Sequence, residues 1–82
     1  MQILPIKPRL NKLIVKHGLK NAYFKQSQLL EKNIRHPSLN VEKLEPKELE
    51  VYSFRLDKKY RVLFIFQQER IIEIIGVTTH YQ

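Results

Sequence analysis

In the stretch Tyr52-Ser-Phe-Arg-Leu-Asp-Lys-Lys-Tyr-Arg-Val-Leu-Phe-Ile-Phe66, large apolar residues recur at every second position on both sides of a charged tripeptide. That period marks two strands that each bury one face. Burying Tyr52, Phe54 and Leu56 together with Tyr60, Val62, Phe64 and Phe66 requires an odd-numbered loop, because a one-residue slip moves a whole strand's side chains to the other face. The simplest such loop is Asp57-Lys58-Lys59, which pairs Leu56 with Tyr60 and therefore Arg55 with Arg61. The two arginines are thus expected to face each other across the strands, on the side away from the core.

The rest of the chain supplies what that hairpin must pack against. Residues 1–6 are predicted to form a short strand, placed at a sheet edge because Pro5 interrupts it. From Pro8 the positions Leu10, Leu13, Ile14 and His17 follow helical spacing, with a proline in the first turn and Gly18 positioned to end the helix. A second helix is expected over 19–35, with Ala22, Tyr23, Gln26, Leu29, Leu30 and Ile34 along one face. His36-Pro37 stops it, since the residue before proline is pushed out of the helical region. The segment 39–50, with Pro46 and four glutamates, reads as an extended loop with at most a turn of helix. Strands are then predicted over 51–56, 60–67 and 70–79. The expected architecture is a single two-layer α+β domain, β-α-α-β-β-β, with two antiparallel N-terminal helices packed on an antiparallel sheet.

Charge and composition narrow the function. The 82 residues carry a formal charge of +7, and residues 1–35 hold eight of the 15 Lys and Arg against one acid, Glu31. A surface this basic favours a polyanionic partner, most often nucleic acid. There is no cysteine, which excludes disulfide and thiolate chemistry. The three histidines, His17, His36 and His80, are scattered and make no ligand set, so no metal or other cofactor is expected. No apolar run approaches the length of a membrane span, and the N-terminus lacks the pattern of a signal peptide. A cytoplasmic protein without membrane association is the default expectation.

Like charges placed opposite each other in a sheet are unfavourable. An anion between Arg55 and Arg61 would reverse that, and guanidinium geometry suits phosphate. The last predicted strand runs into Thr78-Thr79-His80-Tyr81, which puts a proton-transfer group and an aromatic ring near the chain end.

Taken together, the pattern HPSL…EKL…YSFRL…KYRVLFIF…IIEIIGVTTHY resembles the RelE/ParE toxin superfamily of toxin–antitoxin modules, on its RelE, YoeB and YafQ side. The resemblance is dense over 36–81 and extends to residues 1–35 as a compatible order of elements. It implies an mRNA endoribonuclease acting on translated mRNA at the ribosome without a metal and silenced by a cognate antitoxin. The basic first half suits an antitoxin with an acidic amphipathic segment. Carried over by position, Arg61 would stabilise the scissile phosphate, His80 would move a proton and Tyr81 would orient the substrate. The general base would come from the loop before the arginine strand, where Glu42, Glu45 and His36 are candidates. Glu42 completes the expected catalytic set, and Arg55, Lys43, Lys58 and Lys59 are the expected RNA-binding cations. The same superfamily includes ParE-type toxins acting on DNA gyrase, and a degenerate toxin that binds antitoxin or RNA without cutting is a further alternative.

Overall fold

A computed structural model describes residues 1–79. Its elements run β1 (Gln2–Ile3), α1 (Pro8–Lys16), α2 (Lys20–Lys32), a 3-10 turn (Pro37–Leu39), β2 (Glu42–Lys43), a second 3-10 turn (Lys47–Leu49), β3 (Tyr52–Arg55), β4 (Tyr60–Gln68) and β5 (Ile71–Thr79). The strands form one five-stranded sheet in the order β1-β5-β4-β3-β2.

The meander follows the alternation in the sequence. β3 and β4 pair antiparallel with Phe54 opposite Val62 and Arg55 opposite Arg61, the register expected from the strand period and the three-residue loop. Asp57 closes the connection, its Oδ1 accepting from the backbone N–H groups of Lys59 and Tyr60, both at 2.8 Å. β4 and β5 are antiparallel too, with irregularities between Leu63 and Phe64 and between Phe66 and Gln68. Such bulges add a residue to one strand and sharpen the local twist.

Two features correct the expected architecture. The sheet is mixed, because β1 runs parallel to β5, with Gln2 opposite Ile71. A tight turn forces its two strands antiparallel, but a strand separated from its neighbour by a long crossover can return in either direction. Here both helices and strands β2, β3 and β4 lie between β1 and β5. The second correction is β2, which pairs antiparallel with β3 inside the segment expected to be loop, with Glu42 opposite Ser53 and Lys43 opposite Tyr52. Two residues are too few to show a period. The placement of β1 at an edge agrees with the proline at position 5.

The helices supply one side of the core. Leu10 and Ile14 of α1 and Leu30 of α2 are buried in one cluster with Leu19, Leu39, Phe54, Leu56, Val62, Phe64, Ile72 and Ile74. Pro8 opens α1 and Gly18 closes it in the left-handed conformation at φ 68°. Leu19 N–H then reaches back to the Ile14 carbonyl at 2.8 Å, the bonding expected of a glycine-terminated helix. Phe64 is fully buried and meets Tyr52, Phe54 and Phe66, with ring centroids 5.6, 6.0 and 5.7 Å away. Phe64→Ala is therefore expected to cost about 3–5 kcal/mol of stability, read as the shift in a urea unfolding midpoint at unchanged slope.

Candidate functional site

Alternation along β4 separates two faces. Val62 and Phe64 turn into the helical core, so Arg61, Leu63 and Ile65 stand on the opposite face. Cross-strand pairing adds Arg55 and Ser53 of β3, Glu42 of β2, and Thr78 and Gly76 of β5 to that outer face. The arginine pair thus lies on the expected side of the sheet.

Its exposure differs from expectation. Arg55 is exposed, but Arg61 is only 5% exposed. The Arg61 Nε donates to Ser53 Oγ at 2.9 Å, and Nη2 donates to the Asn40 carbonyl at 2.5 Å and to the Ser53 carbonyl at 3.4 Å. Glu42 Oε1 lies 3.9 Å from Nη2, on a side chain that is 49% exposed. Nη1 is buried and has no hydrogen-bond partner among the described residues. Burial pulls the guanidinium below its ordinary pKa, the Glu42 carboxylate opposes that shift, and Arg55 adds to it. Although it stands on the side away from the helical core, Arg61 is thus a buried residue whose removal would leave partners unpaired. The cover comes from Asn40, 21 residues upstream, where strand alternation carries no information.

The other expected residues divide. Glu42 joins the arginines on the outer face. Lys43 does not: it is opposite Tyr52, and its Nζ lies 5.6 Å from that ring's centroid, on the helical side of the sheet. Lys58 and Lys59 are exposed in the β3–β4 connection next to the arginine pair, and Lys59 Nζ is 5.6 Å from the Tyr60 ring centroid. Glu45 is exposed and lies beyond β2. His36 caps the first 3-10 turn, its Nδ1 accepting from Ser38 N–H at 3.2 Å. His17 ends α1, with Nδ1 3.2 Å from Tyr60 Oη. His80 and Tyr81 lie outside the described residues. Among the described residues no three His, Asp or Glu side chains are grouped as metal ligands, and no helix is long and apolar enough to cross a membrane.

Three residues not singled out for the site now belong to it. Ser53 and Asn40 hold Arg61. Gln26 of α2 is buried, and its Nε2 donates to the Arg55 carbonyl at 2.8 Å and to the Ser38 carbonyl at 3.2 Å. A glutamine on the apolar stripe of the second helix was the one visible signal, since a buried amide needs partners from elsewhere in the fold.

An N-terminal parallel strand, two helices and a meander carrying paired arginines on the face away from those helices can be compared with known proteins. The YoeB/ParE toxin from Agrobacterium tumefaciens superposes with a TM-score of 0.71 at 12% identity, over 99% of this chain and 100% of that one. YafQ from E. coli strain BL21(DE3) gives 0.72 at 11% identity, over 96% and 90%. The chain has the fold of the YoeB and YafQ toxins. The YoeB–YefM complex from Staphylococcus aureus extends the likeness, at 0.69 and 17% identity over 99% of this chain and 98% of that one. No protein-family model matches the chain, and no curated protein matches it. The likeness is thus carried by backbone geometry across the whole length, with side chains largely replaced.

Proposed function

We propose that this protein is the toxin of a toxin–antitoxin module and that it cleaves translated mRNA at the ribosome. The observation that carries the reading is the Arg61 guanidinium, set opposite Arg55 on the outer sheet face, with a carboxylate 3.9 Å away and one amino group lacking an acceptor among the described residues. Two cations and a neighbouring base suit in-line attack by a ribose 2′-OH on the adjacent phosphate. The O2′–P bond forms as the P–O5′ bond breaks, leaving a 2′,3′-cyclic phosphate and a 5′-OH. In this scheme Glu42 accepts the 2′-OH proton and His80 supplies one to the departing O5′. Arg61, aided by Arg55, stabilises the charge that builds on the phosphorane oxygens, and Tyr81 orients the substrate. Lys58 and Lys59 flank the path of the RNA backbone.

Inducing the protein in a bacterial culture tests the reading. Arrested protein synthesis with new mRNA 5′ ends inside reading frames is the expected result; intact mRNA with gyrase-dependent DNA breaks would assign it to the gyrase-directed class instead. A second reading, a toxin that binds without cutting, is favoured by the engagement of Arg61 by Ser53 and Asn40, and predicts neither outcome.

An antitoxin partner follows from the same reading. The YoeB from Staphylococcus aureus is complexed with YefM, and the lysines of α1 and α2, Lys12, Lys16, Lys20, Lys25 and Lys32, are exposed, cations that an acidic amphipathic segment would match. Its association rate is expected to fall by at least tenfold as ionic strength rises from about 0.01 to 0.5 M, because screening shortens the range of attraction. Stopped-flow mixing at several salt concentrations measures it, and a flat profile would place the antitoxin on an uncharged surface.

A further inference from the structure

The cover over Arg61 is held in place by side chains that do not themselves bond to the guanidinium. Asn40, whose carbonyl accepts from Nη2, sits in the left-handed region at φ 44° at the end of the Pro37–Leu39 turn. Two side chains hold that turn. His36 Nδ1 accepts from Ser38 N–H at 3.2 Å and lies 3.1 Å from Ser38 Oγ. Gln26 Nε2 donates to the Ser38 carbonyl and also to the Arg55 carbonyl, tying the turn to the end of the arginine-bearing strand. Leu39, fully buried, anchors the middle. Nε and Nη2 are both occupied, by Ser53 Oγ and by the Asn40 carbonyl of the turn, and Nη1 is buried with no hydrogen-bond partner among the described residues. A phosphate cannot form the paired contact that guanidinium favours.

We propose that the His36–Asn40 turn is a latch over Arg61, that His36 is the positioning residue holding it shut, and that an RNA phosphate engages the guanidinium only when Asn40 withdraws. The inference rests on the reading of Arg61 as the phosphate-binding residue. Space for the movement exists: an open cleft of about 430 Å³, lined by Ile34, Arg35, His36, Pro37, Asn40 and Val41, adjoins the turn. Releasing the latch leaves the orphaned Nη1 and the freed Nη2 as a two-donor edge for one phosphate. A shut majority form lowers apparent affinity by the fraction of molecules that are open, so weakening the latch should tighten binding.

The test measures proton exchange at Arg61 Nε–H by NMR, together with the affinity of a single-stranded 2′-O-methyl RNA, which lacks the attacking hydroxyl. His36→Ala removes one hydrogen bond of ordinary strength, so exchange should quicken and RNA should bind more tightly, each by about five- to tenfold. His36→Asn should restore wild-type behaviour in both, because an asparagine oxygen accepts from the N–H two residues on as the ring nitrogen does here. In the wild type, saturating RNA should shift the Asn40 and Val41 amides. Exchange unmoved by His36→Ala, or an Asn variant that behaves like Ala, overturns the latch while the RNA reading stands if RNA still binds. RNA binding with Asn40 unshifted overturns it equally. Exchange that follows the Ala and Asn pattern with no RNA bound by any form removes the ribonuclease reading and the gating role with it. Loss of cleavage in both variants at wild-type RNA affinity would make His36 a proton-transfer residue instead of a latch.

Discussion

Arg61→Ala is expected to slow RNA cleavage by about 100- to 1,000-fold and, in the same variant, to lower stability by about 2–4 kcal/mol. The two effects have different origins. Truncation empties a buried site and leaves Ser53 Oγ and the Asn40 carbonyl without their donor, although it also relieves the cost of a buried charge. On the proposed mechanism the chemical effect would come from losing the cation that stabilises the developing phosphorane, and removal of one such donor costs about 100- to 1,000-fold. Arg61→Lys separates them. It keeps the charge but replaces a planar fork with a point donor that cannot bridge Ser53 and Asn40 together. Cleavage in a translating extract should therefore fall in both variants at temperatures where circular dichroism shows them folded. Folded Arg61→Ala protein that cuts at the wild-type rate would remove Arg61 from the mechanism and make it a structural arginine.

The second large effect is expected at His80. His80→Gln retains comparable size and hydrogen-bonding capacity but cannot titrate, so single-turnover cleavage should slow by about two to four orders of magnitude while ribosome or RNA binding stays within a few-fold. The wild-type rate should vary with pH near neutrality, where histidine exchanges its proton, and the variant should lose that limb. A variant with weakened binding and an unchanged chemical step would make His80 a docking residue.

How much of this was legible in the sequence depended on what kind of contact was involved. The Arg55–Arg61 pairing could be read because strand period and loop length together determine it, and both lie within residues 52–66. Gly18, Pro8 and Pro5 marked element ends for equally local reasons. The burial of Arg61 was not readable: its cover comes from Asn40 and Glu42, across a two-residue edge strand with no period to detect. The parallel pairing of β1 and β5 was hidden for a related reason, since no turn links them. Gln26 stood on the apolar stripe of the second helix, but its partners, the Ser38 and Arg55 carbonyls, come together only in the fold. Lys43 shows the converse failure: one position after Glu42, it is carried by strand alternation to the opposite face of the sheet from Arg61.

In the proposed reaction, RNA is cut by its own 2′-OH under Arg61 and Glu42. The reaction's most direct measurement is the chemistry of the ends left on mRNA fragments recovered from a translating extract given the purified protein. The expected ends are 2′,3′-cyclic phosphate or its 3′-phosphate product upstream of each cut and 5′-OH downstream, strongly reduced with Arg61→Ala. Fragments ending in 3′-OH and 5′-phosphate, or intact mRNA under conditions where the protein halts growth, would contradict it.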